Sequence, residues 1–287
     1  MSCVRDLLEQ GARALPGDEA RREAALLLRH VLEVSGAWLV AHPDDEVDAA
    51  RAVAFRDMVE RRVRGEPVAY LTGTRGFHDI ELRVAPGVLI PRPETELLVD
   101  CALQRIPENP ECAIADLGTG SGAIALAIAT ARPRAKVVAT DASDAALAVA
   151  RANADRLALG NVDFAQGDWC TPLGDARFDV IVSNPPYIAE GDPHLREGDL
   201  RFEPAAALAS GDHGLDAIRT IVRDARAHLR EAGWLMFEHG FDQGPAARNL
   251  LSAYGYADIF TERDLEGRER VSGGSRKASS GRPEDAD

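Results

Sequence analysis

The sequence predicts an α/β fold, a doubly wound sheet of seven mostly parallel strands, preceded by a small N-terminal bundle of helices. Two patterns and one motif lead to this prediction. Apolar residues recur at helical spacing through the first 74 positions. From about residue 112, short apolar runs alternate with amphipathic helical stretches, as in parallel strands joined by crossover helices. A glycine-rich turn links the first of these strands to the helix that follows it.

The N-terminal helices follow one another with recognisable ends. Apolar residues fall on one face of VRDLLEQGARAL and on a broad face of EARREAALLLRHVLEV. A short helix, GAWLVAHP, ends at Pro43, and a longer one, EVDAARAVAFRDMVERRVRG, ends at Gly65. The stretch PVAYLTG adds a final turn. Residues 1–74 are therefore expected to form one helical domain.

A change of period marks the passage to a second domain. Residues 75–92 alternate apolar and polar side chains around a Pro-Gly pair, which predicts a β-hairpin linker. Residues 93–272 begin with a helix and then carry the strand–helix alternation. Residues 273–287 are rich in Gly, Ser and Pro, and we expect them to form a disordered tail.

Seven apolar runs fit the strands of the sheet. In chain order they are CAIADLG, KVVATD, VDFAQGD, FDVIVSN, GWLMFEHG and a hairpin-like pair within YADIFTERDLEGRERV. In a sheet of this kind, ligands bind beyond the carboxyl ends of the strands, near the point where the strand order changes direction. The residues that end these runs are therefore the first candidates for a functional site.

Composition limits the classes of function. The net charge of −14, from 33 basic and 47 acidic residues, disfavours a stable nucleic-acid partner, because phosphate binding depends on clustered Lys and Arg. Four cysteines without a C-x-x-C pair fit a reduced, cytoplasmic protein and predict no metal site. The longest apolar stretch, AIALAIATA, is too short to cross a bilayer. We expect a cytoplasmic monomer without a membrane partner.

The first candidate site is the glycine loop in ADLGTGSGAIALA. Gly118, Gly120 and Gly122 let the backbone turn sharply and let a ligand approach it closely. The helix that follows directs its first amide groups toward such a ligand. The spacing G-x-G-x-G departs from the dinucleotide pattern G-x-G-x-x-G, so a nicotinamide cofactor, the main rival ligand, is less favoured.

Acidic and aromatic residues end the next two strands. Asp141 can accept hydrogen bonds from two ribose hydroxyls. Asp168 can accept one from an exocyclic amine, and Trp169 can lie beside a flat ring. A charged tail, a sugar and adenine would then lie across three neighbouring strand ends, which is the layout expected for S-adenosylmethionine.

The second candidate site is the stretch SNPPYIAEG, which follows the fourth strand. Pro185 and Pro186 fix their own φ angles and stop the strand at Asn184. The Asn184 side-chain oxygen and the Pro185 carbonyl can both accept hydrogen bonds from one planar NH2 group. Tyr187 can stack on the plane of that group. This corner is therefore expected to hold a weakly nucleophilic nitrogen beside a methyl donor.

NPPY together with DLGTGSG resembles the class I methyltransferases that modify planar amino groups, including adenine methyltransferases of DNA and RNA. The stretches GEPVAYLTG, LIPRPETE, LRFEPAAALASGDHGLD and FEHGFDQG narrow the match. With the helical N-terminal domain, they resemble the peptide chain release factor glutamine methyltransferases over about residues 1–272. That family methylates the side-chain amide nitrogen (N5) of the glutamine in the Gly-Gly-Gln motif of release factors.

The resemblance implies a donor site and a substrate site. At the donor we expect Gly118, Thr119, Gly120, Ser121, Gly122, Asp141, Asp168, Trp169 and Asn184. The catalytic residues are expected to be Asn184, Pro185 and Tyr187, and these three with Pro186 would bind the substrate amide. The resemblance also implies that the N-terminal domain engages the release factor.

Some alternatives stay open at this point. An N6-adenine methyltransferase acting on DNA or RNA is the main alternative function, and a non-catalytic donor-binding adaptor is a third. Arg92 and Glu94 of PRPETE either border the pocket or pair with each other where a helix begins. His239 is expected to be a packed or surface histidine, because methyl transfer needs no histidine.

Overall fold

A computed structural model describes residues 2–106 and 111–277. The described residues form two compact units. The first contains the chain up to Thr74 together with Arg196–Phe202, and the second contains Arg75–Leu195 and the chain from Glu203 onward. Among the described residues, no helix combines the length and the apolar composition that crossing a bilayer requires.

The first unit is a helical bundle with one short strand pair. Its helices are α1 (Val4–Ala14), α2 (Ala20–Leu32), α3 (Gly36–Ala41), α4 (Ala49–Val63) and α5 (Val68–Thr72). Strands β1 (Ser2–Cys3) and β2 (Glu46–Val47) pair antiparallel. Leu7, Leu27, Leu28 and Phe55 are fully buried between the helices, because each lies on the apolar face of its own helix.

A segment distant in sequence belongs to this helical unit. Arg62 of α4 donates to Glu23 of α2 through Nε and Nη2, at 2.8 and 2.7 Å. Its Nη1 donates to Asp199 at 2.6 Å. The two carboxylates raise the pKa of Arg62 well above its usual range, and the guanidinium stays charged. Residues 196–202 are thereby attached to the bundle by a half-buried charge cluster.

The second unit contains a seven-stranded sheet and a small hairpin. The hairpin strands are β3 (Thr74–Phe77) and β4 (Ile80–Arg83). The sheet strands are β5 (Ala113–Leu117), β6 (Lys136–Asp141), β7 (Val162–Gln166), β8 (Phe178–Ser183), β9 (Leu229–Glu238), β10 (Tyr256–Arg263) and β11 (Glu269–Arg276). The helices are α6 (Glu96–Leu103), α7 (Ala123–Ala131), α8 (Asp144–Arg156), α9 (Asp216–His228) and α10 (Gly244–Ala253).

The strand order is β10-β11-β9-β8-β5-β6-β7, and β11 alone runs antiparallel to its neighbours in this sheet. This confirms the predicted doubly wound, mostly parallel sheet. The chain moves from β5 outward to β6 and β7, and then returns to place β8 on the other side of β5. The carboxyl ends of β5 and β8 therefore lie at the point where the order reverses, which is where such sheets bind ligands.

Two local predictions are wrong. The linker hairpin turns at His78–Asp79 and is complete by Arg83, whereas the Pro-Gly pair forms a separate turn in which Val88 N donates to Ala85 O at 3.2 Å. Residues 84–92 are thus an irregular segment. The second error concerns the start of the tail. It was predicted at residue 273, but residues 273–276 belong to β11. Lys277 directly follows the strand, and residues 278–287 of the expected tail lie outside the described residues.

The glycines of β11 explain the second error. A Cβ atom at Gly273 would lie 2.6 Å from the Leu235 carbonyl oxygen and 2.7 Å from the Phe260 ring. Gly273 is therefore in the strand because the neighbouring strands leave no room for a side chain. The Gly- and Ser-rich composition suggested a flexible tail. In the structure, glycine is needed at this position because the neighbouring strands approach its backbone closely.

We predict that Gly273→Ala will destabilise the protein. Forcing a methyl group against backbone should lower the free energy of unfolding by about 1–3 kcal/mol. Gly76→Ala is the matched control, since Gly76 lies in β3 and a Cβ atom there would meet nothing within 4 Å. Urea denaturation of the full chain, followed by circular dichroism, measures both variants. Equal stability of the two variants would contradict this account of β11.

Candidate active site

A cavity of about 410 Å³ lies beyond the carboxyl ends of β5, β6, β7 and β8. Its volume is within the range of small-molecule sites. Most of the residues predicted from the sequence line it together. They are Gly118, Thr119, Gly120, Ser121, Asp141, Asp168, Trp169, Asn184 and Pro186. Gly122, Pro185 and Tyr187 lie beside these residues in the chain without lining the cavity wall.

The glycine loop has the backbone that its sequence predicts. Gly118, Gly120 and Gly122 all have positive φ, at 74°, 58° and 87°. A Cβ atom at Gly118 would lie 3.0 Å from the Trp169 ring, so this glycine also lets the indole pack on the loop. Helix α7 begins directly after Gly122, with its first turn next to the cavity. The loop can therefore present backbone amide groups to a ligand.

Asp116 supports the loop from beneath. It is fully buried in β5, and its Oδ2 accepts from the Thr119 hydroxyl at 2.6 Å and from Ala125 N at 3.1 Å. Its Oδ1 has no hydrogen-bond partner among the described residues. Burial raises the pKa of Asp116 to about 7, because removal from water disfavours the carboxylate. The carboxyl group therefore holds the loop in place, although its burial removes it from water.

Asp141 fixes the far side of the same loop. Its Oδ2 accepts from Gly120 N and its Oδ1 from Ser143 N, each at 2.8 Å. A carboxylate has about four acceptor positions. Asp141 is partly exposed at the cavity wall, so it can bind hydroxyl groups of a ligand while it holds the loop.

Trp169 and Asp168 form the wall after β7. Trp169 has a positive φ of 44°, and its carbonyl accepts from the buried Thr140 hydroxyl at 2.9 Å. This bond holds the indole in place against Gly118. Asp168 is exposed beside it. The pair provides a flat apolar surface next to a carboxylate, which suits a heteroaromatic ring with an amino group.

The corner after β8 is held by side chains from other parts of the chain. The Ser183 hydroxyl donates to Leu117 O at 2.7 Å and joins the ends of β8 and β5. Asn184 donates from Nδ2 to the Thr95 hydroxyl oxygen at 3.0 Å. Because its NH2 group is used in this way, Asn184 is left with Oδ1 as its acceptor for a ligand. The acceptor role of Asn184 toward a substrate stays a prediction.

Tyr187 is fixed at both its hydroxyl and its backbone. The hydroxyl donates to Glu238 Oε1 at 3.0 Å, and burial beside this acid raises the pKa of Tyr187. Gln243 donates from Nε2 to the Tyr187 carbonyl at 2.9 Å and to the His213 carbonyl at 3.1 Å. A Cβ atom at Gly214 would lie 2.0 Å from the Tyr187 carbonyl oxygen, so only glycine fits there.

Arg92 has a different partner from the one considered in the sequence. It pairs with Glu203, whose side chain is fully buried and also accepts from Ile90 N at 3.1 Å. The alternative in which Arg92 pairs with Glu94 is therefore wrong. The new pair joins the PRPETE stretch to the stretch FEPAAA, which supplies Pro204, Ala206 and Ala207 to the cavity wall.

His239 is packed inside the protein. Its Nδ1 donates to Gly240 O at 2.8 Å, and its Nε2 lies 2.8 Å from the Ser272 hydroxyl, which donates to it. Burial lowers the pKa of His239, so the ring is neutral in this arrangement. These contacts support a structural role.

Four residues of the site were missed in the sequence: Thr95, Glu203, Glu238 and Gln243. Each lies within a stretch that carries the resemblance, PRPETE, LRFEPAAA or FEHGFDQG. The stretches were a signal, but the function of each residue depends on a partner far away in the chain. Among the described residues, no group of three His, Cys, Asp or Glu side chains is arranged to hold a metal ion.

Two family models match the chain. They are the PrmC N-terminal domain over residues 6–73 and the methyltransferase small domain over residues 94–207. A release factor glutamine methyltransferase of Xylella fastidiosa is 54% identical over 254 residues, which cover 88% of this chain and 92% of the relative. One of Bordetella pertussis is 48% identical and covers 96% of this chain and 99% of its own length.

Solved structures show the same fold at lower identity. A 16S rRNA methyltransferase of T. thermophilus, in complex with AdoMet and guanosine, has a TM-score of 0.54 at 23% identity. The match covers 71% of this chain and 50% of that chain. At this identity the likeness concerns the fold alone.

Asp116 leads to a prediction about pH and stability. The unfolded chain releases this proton near its ordinary pKa of 3.8, but the folded protein releases it only near 7. Between these values the folded state holds more protons, so the contribution of Asp116 to the free energy of unfolding should fall as pH rises. Above about pH 7 the loss is complete.

Asp116→Asn is the test of this dependence. Asparagine keeps an acceptor for Thr119 and Ala125 and does not titrate, so the variant should lose less stability than the wild type between pH 5 and 7. Urea denaturation at several pH values in this window gives the two slopes. Parallel slopes would show that Asp116 is not the buried acid described here.

Proposed function

The chain belongs to the family of release factor glutamine methyltransferases, and from this membership we propose what it does. It transfers a methyl group from S-adenosyl-L-methionine to the side-chain amide nitrogen (N5) of the glutamine in the Gly-Gly-Gln motif of peptide chain release factors. The observation that carries this proposal is the orientation of Asn184. Its NH2 group donates to Thr95, so its oxygen is the group available to an amide NH2 at the edge of the cavity.

S-adenosylmethionine is the methyl donor of this family, and the residues of the cavity fit it. The glycine loop, with its three positive φ angles, would hold the amino-acid end. Asp141 would accept from the ribose hydroxyls, and Asp168 and Trp169 would meet the adenine. When bound, the donor supplies an electrophilic methyl group on a sulfonium.

The substrate amide needs orientation more than deprotonation. Its nitrogen is a weak nucleophile because the lone pair is delocalised into the carbonyl. Asn184 Oδ1 and the Pro185 carbonyl accept from its two N–H groups and stabilise the positive charge that develops on nitrogen. Holding the reacting atoms about 3–3.5 Å apart and in line supplies much of the remaining acceleration.

The proton leaves after the new bond forms. With the donor bound, the amide nitrogen would take up the methyl group, and the electrons of the broken carbon–sulfur bond would remain on the donor. The methylated nitrogen is then strongly acidic, so its extra proton passes to water without a dedicated base. The ring of Tyr187, fixed by Glu238 and Gln243, is proposed to flank the plane of the amide.

The division into domains is also part of the proposal. The helical unit engages the release factor, and the unit that contains the sheet carries out methyl transfer. We propose that the protein acts as a cytoplasmic monomer without a stable nucleic-acid or membrane partner. The net charge of −14 supports a protein substrate over a phosphate backbone.

We predict that the purified protein transfers labelled methyl groups to a bacterial release factor. Parallel reactions contain a variant of that release factor whose Gly-Gly-Gln glutamine is alanine, double-stranded DNA, or RNA. Label should appear on the unaltered release factor alone. Label on nucleic acid, or equal label on the alanine variant, would reject the proposed function in favour of adenine methylation or another acceptor.

Asn184→Ala should separate chemistry from donor binding. Loss of a positioned polar group that stabilises the transition state costs about 100- to 1,000-fold in kcat. Donor affinity, measured by calorimetry, should fall far less than kcat, because Asn184 is only one of the residues that line the cavity. A large loss of donor affinity with normal turnover at saturation would contradict the role given to Asn184.

Asp141→Asn is the reciprocal variant. Replacement of a charged acceptor weakens hydrogen bonds of about 1.5–3 kcal/mol each, so the donor Kd should rise by about tenfold or more. Turnover at saturating donor should change far less, because Asp141 does not contact the amide. A fall in kcat with an unchanged donor Kd would show that Asp141 acts in the chemical step and not in donor binding.

A further inference from the structure

A buried asparagine behind the cavity holds two separate parts of its wall. Asn153 lies in α8 and is fully buried. Its Oδ1 accepts from Arg83 N at 2.7 Å. Its Nδ2 donates to Arg83 O at 3.0 Å and to Ser121 O at 2.9 Å. An asparagine amide has two N–H donors and one acceptor oxygen, so both donors and the acceptor are already in use inside the protein.

The three partners also fix which way the Asn153 amide faces. A backbone N–H only donates, so Arg83 N must face Oδ1, and the two carbonyls only accept, so they must face the NH2 group. Turning the amide over would place Oδ1 against two oxygens and the NH2 group against another donor. Buried polar groups in that state are strongly disfavoured. The side chain therefore has one orientation, in which it holds both partners.

The bond to Ser121 reaches the glycine loop itself. In a regular α-helix, Ala125 N would donate to the Ser121 carbonyl four residues earlier in the chain. Here Ala125 N donates to Asp116 Oδ2 at 3.1 Å, as part of the support beneath the loop. Asn153 Nδ2 takes the place of that amide and donates to the Ser121 carbonyl. Because Ser121 lines the cavity, Asn153 acts directly on a residue of its wall.

Helix α8 approaches the loop closely at a second point. A Cβ atom at Gly122 would lie 3.3 Å from the Ala150 Cβ atom, so this glycine lets α8 pack against the loop. Ala150 and Asn153 are three residues apart and therefore lie on one face of the helix. The same face packs beside Gly122 and donates to Ser121. Helix packing thus sets the position of the Asn153 side chain relative to the loop.

The bonds to Arg83 fix the start of a second part of the wall, residues 84–92, which we call the wall segment. Arg83 ends β4, and Asn153 pairs with both its N–H and its carbonyl, as a residue of a neighbouring antiparallel strand would. Glu203 holds the other end of the wall segment. The segment supplies four residues to the cavity wall: Gly87, Val88, Leu89 and Pro91.

We propose that Asn153 is a positioning residue of the donor site. It joins the glycine loop to the wall segment, so these two parts of the cavity keep a fixed separation before the donor arrives. A preformed site spares the ligand the cost of ordering its surroundings, and this raises affinity. The inference rests on the proposed function, because the ligand that it concerns is the methyl donor. It adds to the determinants of donor affinity a residue that contacts no ligand.

Asn153→Asp tests this role. Aspartate keeps an oxygen that accepts from Arg83 N, but a carboxyl group has at most one proton to donate where the amide has two. The loop and the wall segment should therefore lose their shared donor. The Kd of S-adenosylmethionine, measured by calorimetry on the full chain, should rise by about 10- to 100-fold. The kcat at saturating donor should change far less, and an unchanged Kd would overturn the proposal.

Asn161→Asp is the matched control in the same unit. Asn161 Nδ2 also donates to backbone carbonyls, those of Ala129 at 3.3 Å and Ala135 at 3.0 Å, and neither partner lines the cavity. The substitution removes the same kind of bond at a distance from the donor site. Whatever its melting temperature, this variant should keep the wild-type donor Kd. A rise in Kd equal to that of Asn153→Asp would show that loss of any such amide has the same effect, and it would overturn the proposal.

Hydrogen exchange tests the link between the two parts without any ligand. In the wild-type protein, the wall segment and residues 118–122 should both exchange slowly before donor is added, because local opening would break the bonds of Asn153. In Asn153→Asp both should exchange faster, and in Asn161→Asp neither should. A wall segment that exchanges freely in the wild type until donor binds, or faster exchange in only one of the two parts in Asn153→Asp, would overturn the proposed link.

The outcomes separate this inference from the proposed function. If the wild-type protein binds the donor but does not methylate the glutamine amide, the proposed function fails, and the comparison of Kd values still decides the role of Asn153. If the wild type is active and Asn153→Asp keeps its donor Kd, the inference alone fails. Exchange in the wild type decides the matter even if Asn153→Asp does not fold.

Discussion

The position at which β8 stops is the constraint on which the proposed site depends. The buried Ser183 hydroxyl joins the ends of β8 and β5, and two prolines then prevent the ladder from continuing. Asn184 is therefore held at the reversal of the strand order, beside the glycine loop that follows β5. A donor on that loop and an amide at Asn184 would share one cavity. The short distance that methyl transfer needs is thus built into the sheet.

Buried acids hold the walls of this cavity in place. Asp116 lies beneath the glycine loop, Glu203 fixes the PRPETE segment through Arg92, and Glu238 lies behind the substrate corner. Burial of a carboxyl costs stability unless partners offset it, and the raised pKa values of Asp116 and Glu238 show that the offset is incomplete. Such a cost fits a site selected for fixed geometry, because a rigid acceptor or loop needs no reorganisation as charge develops.

Local sequence was sufficient for the groups that would touch ligands, and insufficient for those that hold them. The glycine loop, Asp141 and Asn184 could be predicted because each follows a strand, and strand ends converge at one edge. The partners of Asn184 and Arg92 are 89 and 111 residues away in the chain, a separation that only the fold makes short. The glycines of β11 suggested a flexible tail for a related reason, since the crowding around Gly273 comes from Leu235 and Phe260.

The proposed mechanism requires Asn184 and Pro185 to accept hydrogen bonds from the substrate amide nitrogen. A crystal structure with S-adenosylhomocysteine and a peptide that contains Gly-Gly-Gln would show whether they do. We predict that the glutamine nitrogen will lie within hydrogen-bond distance of Asn184 Oδ1 and the Pro185 carbonyl oxygen, with its plane against the Tyr187 ring. A glutamine whose carbonyl oxygen faces a donating Asn184 NH2 group, or one bound away from this corner, would contradict this mechanism.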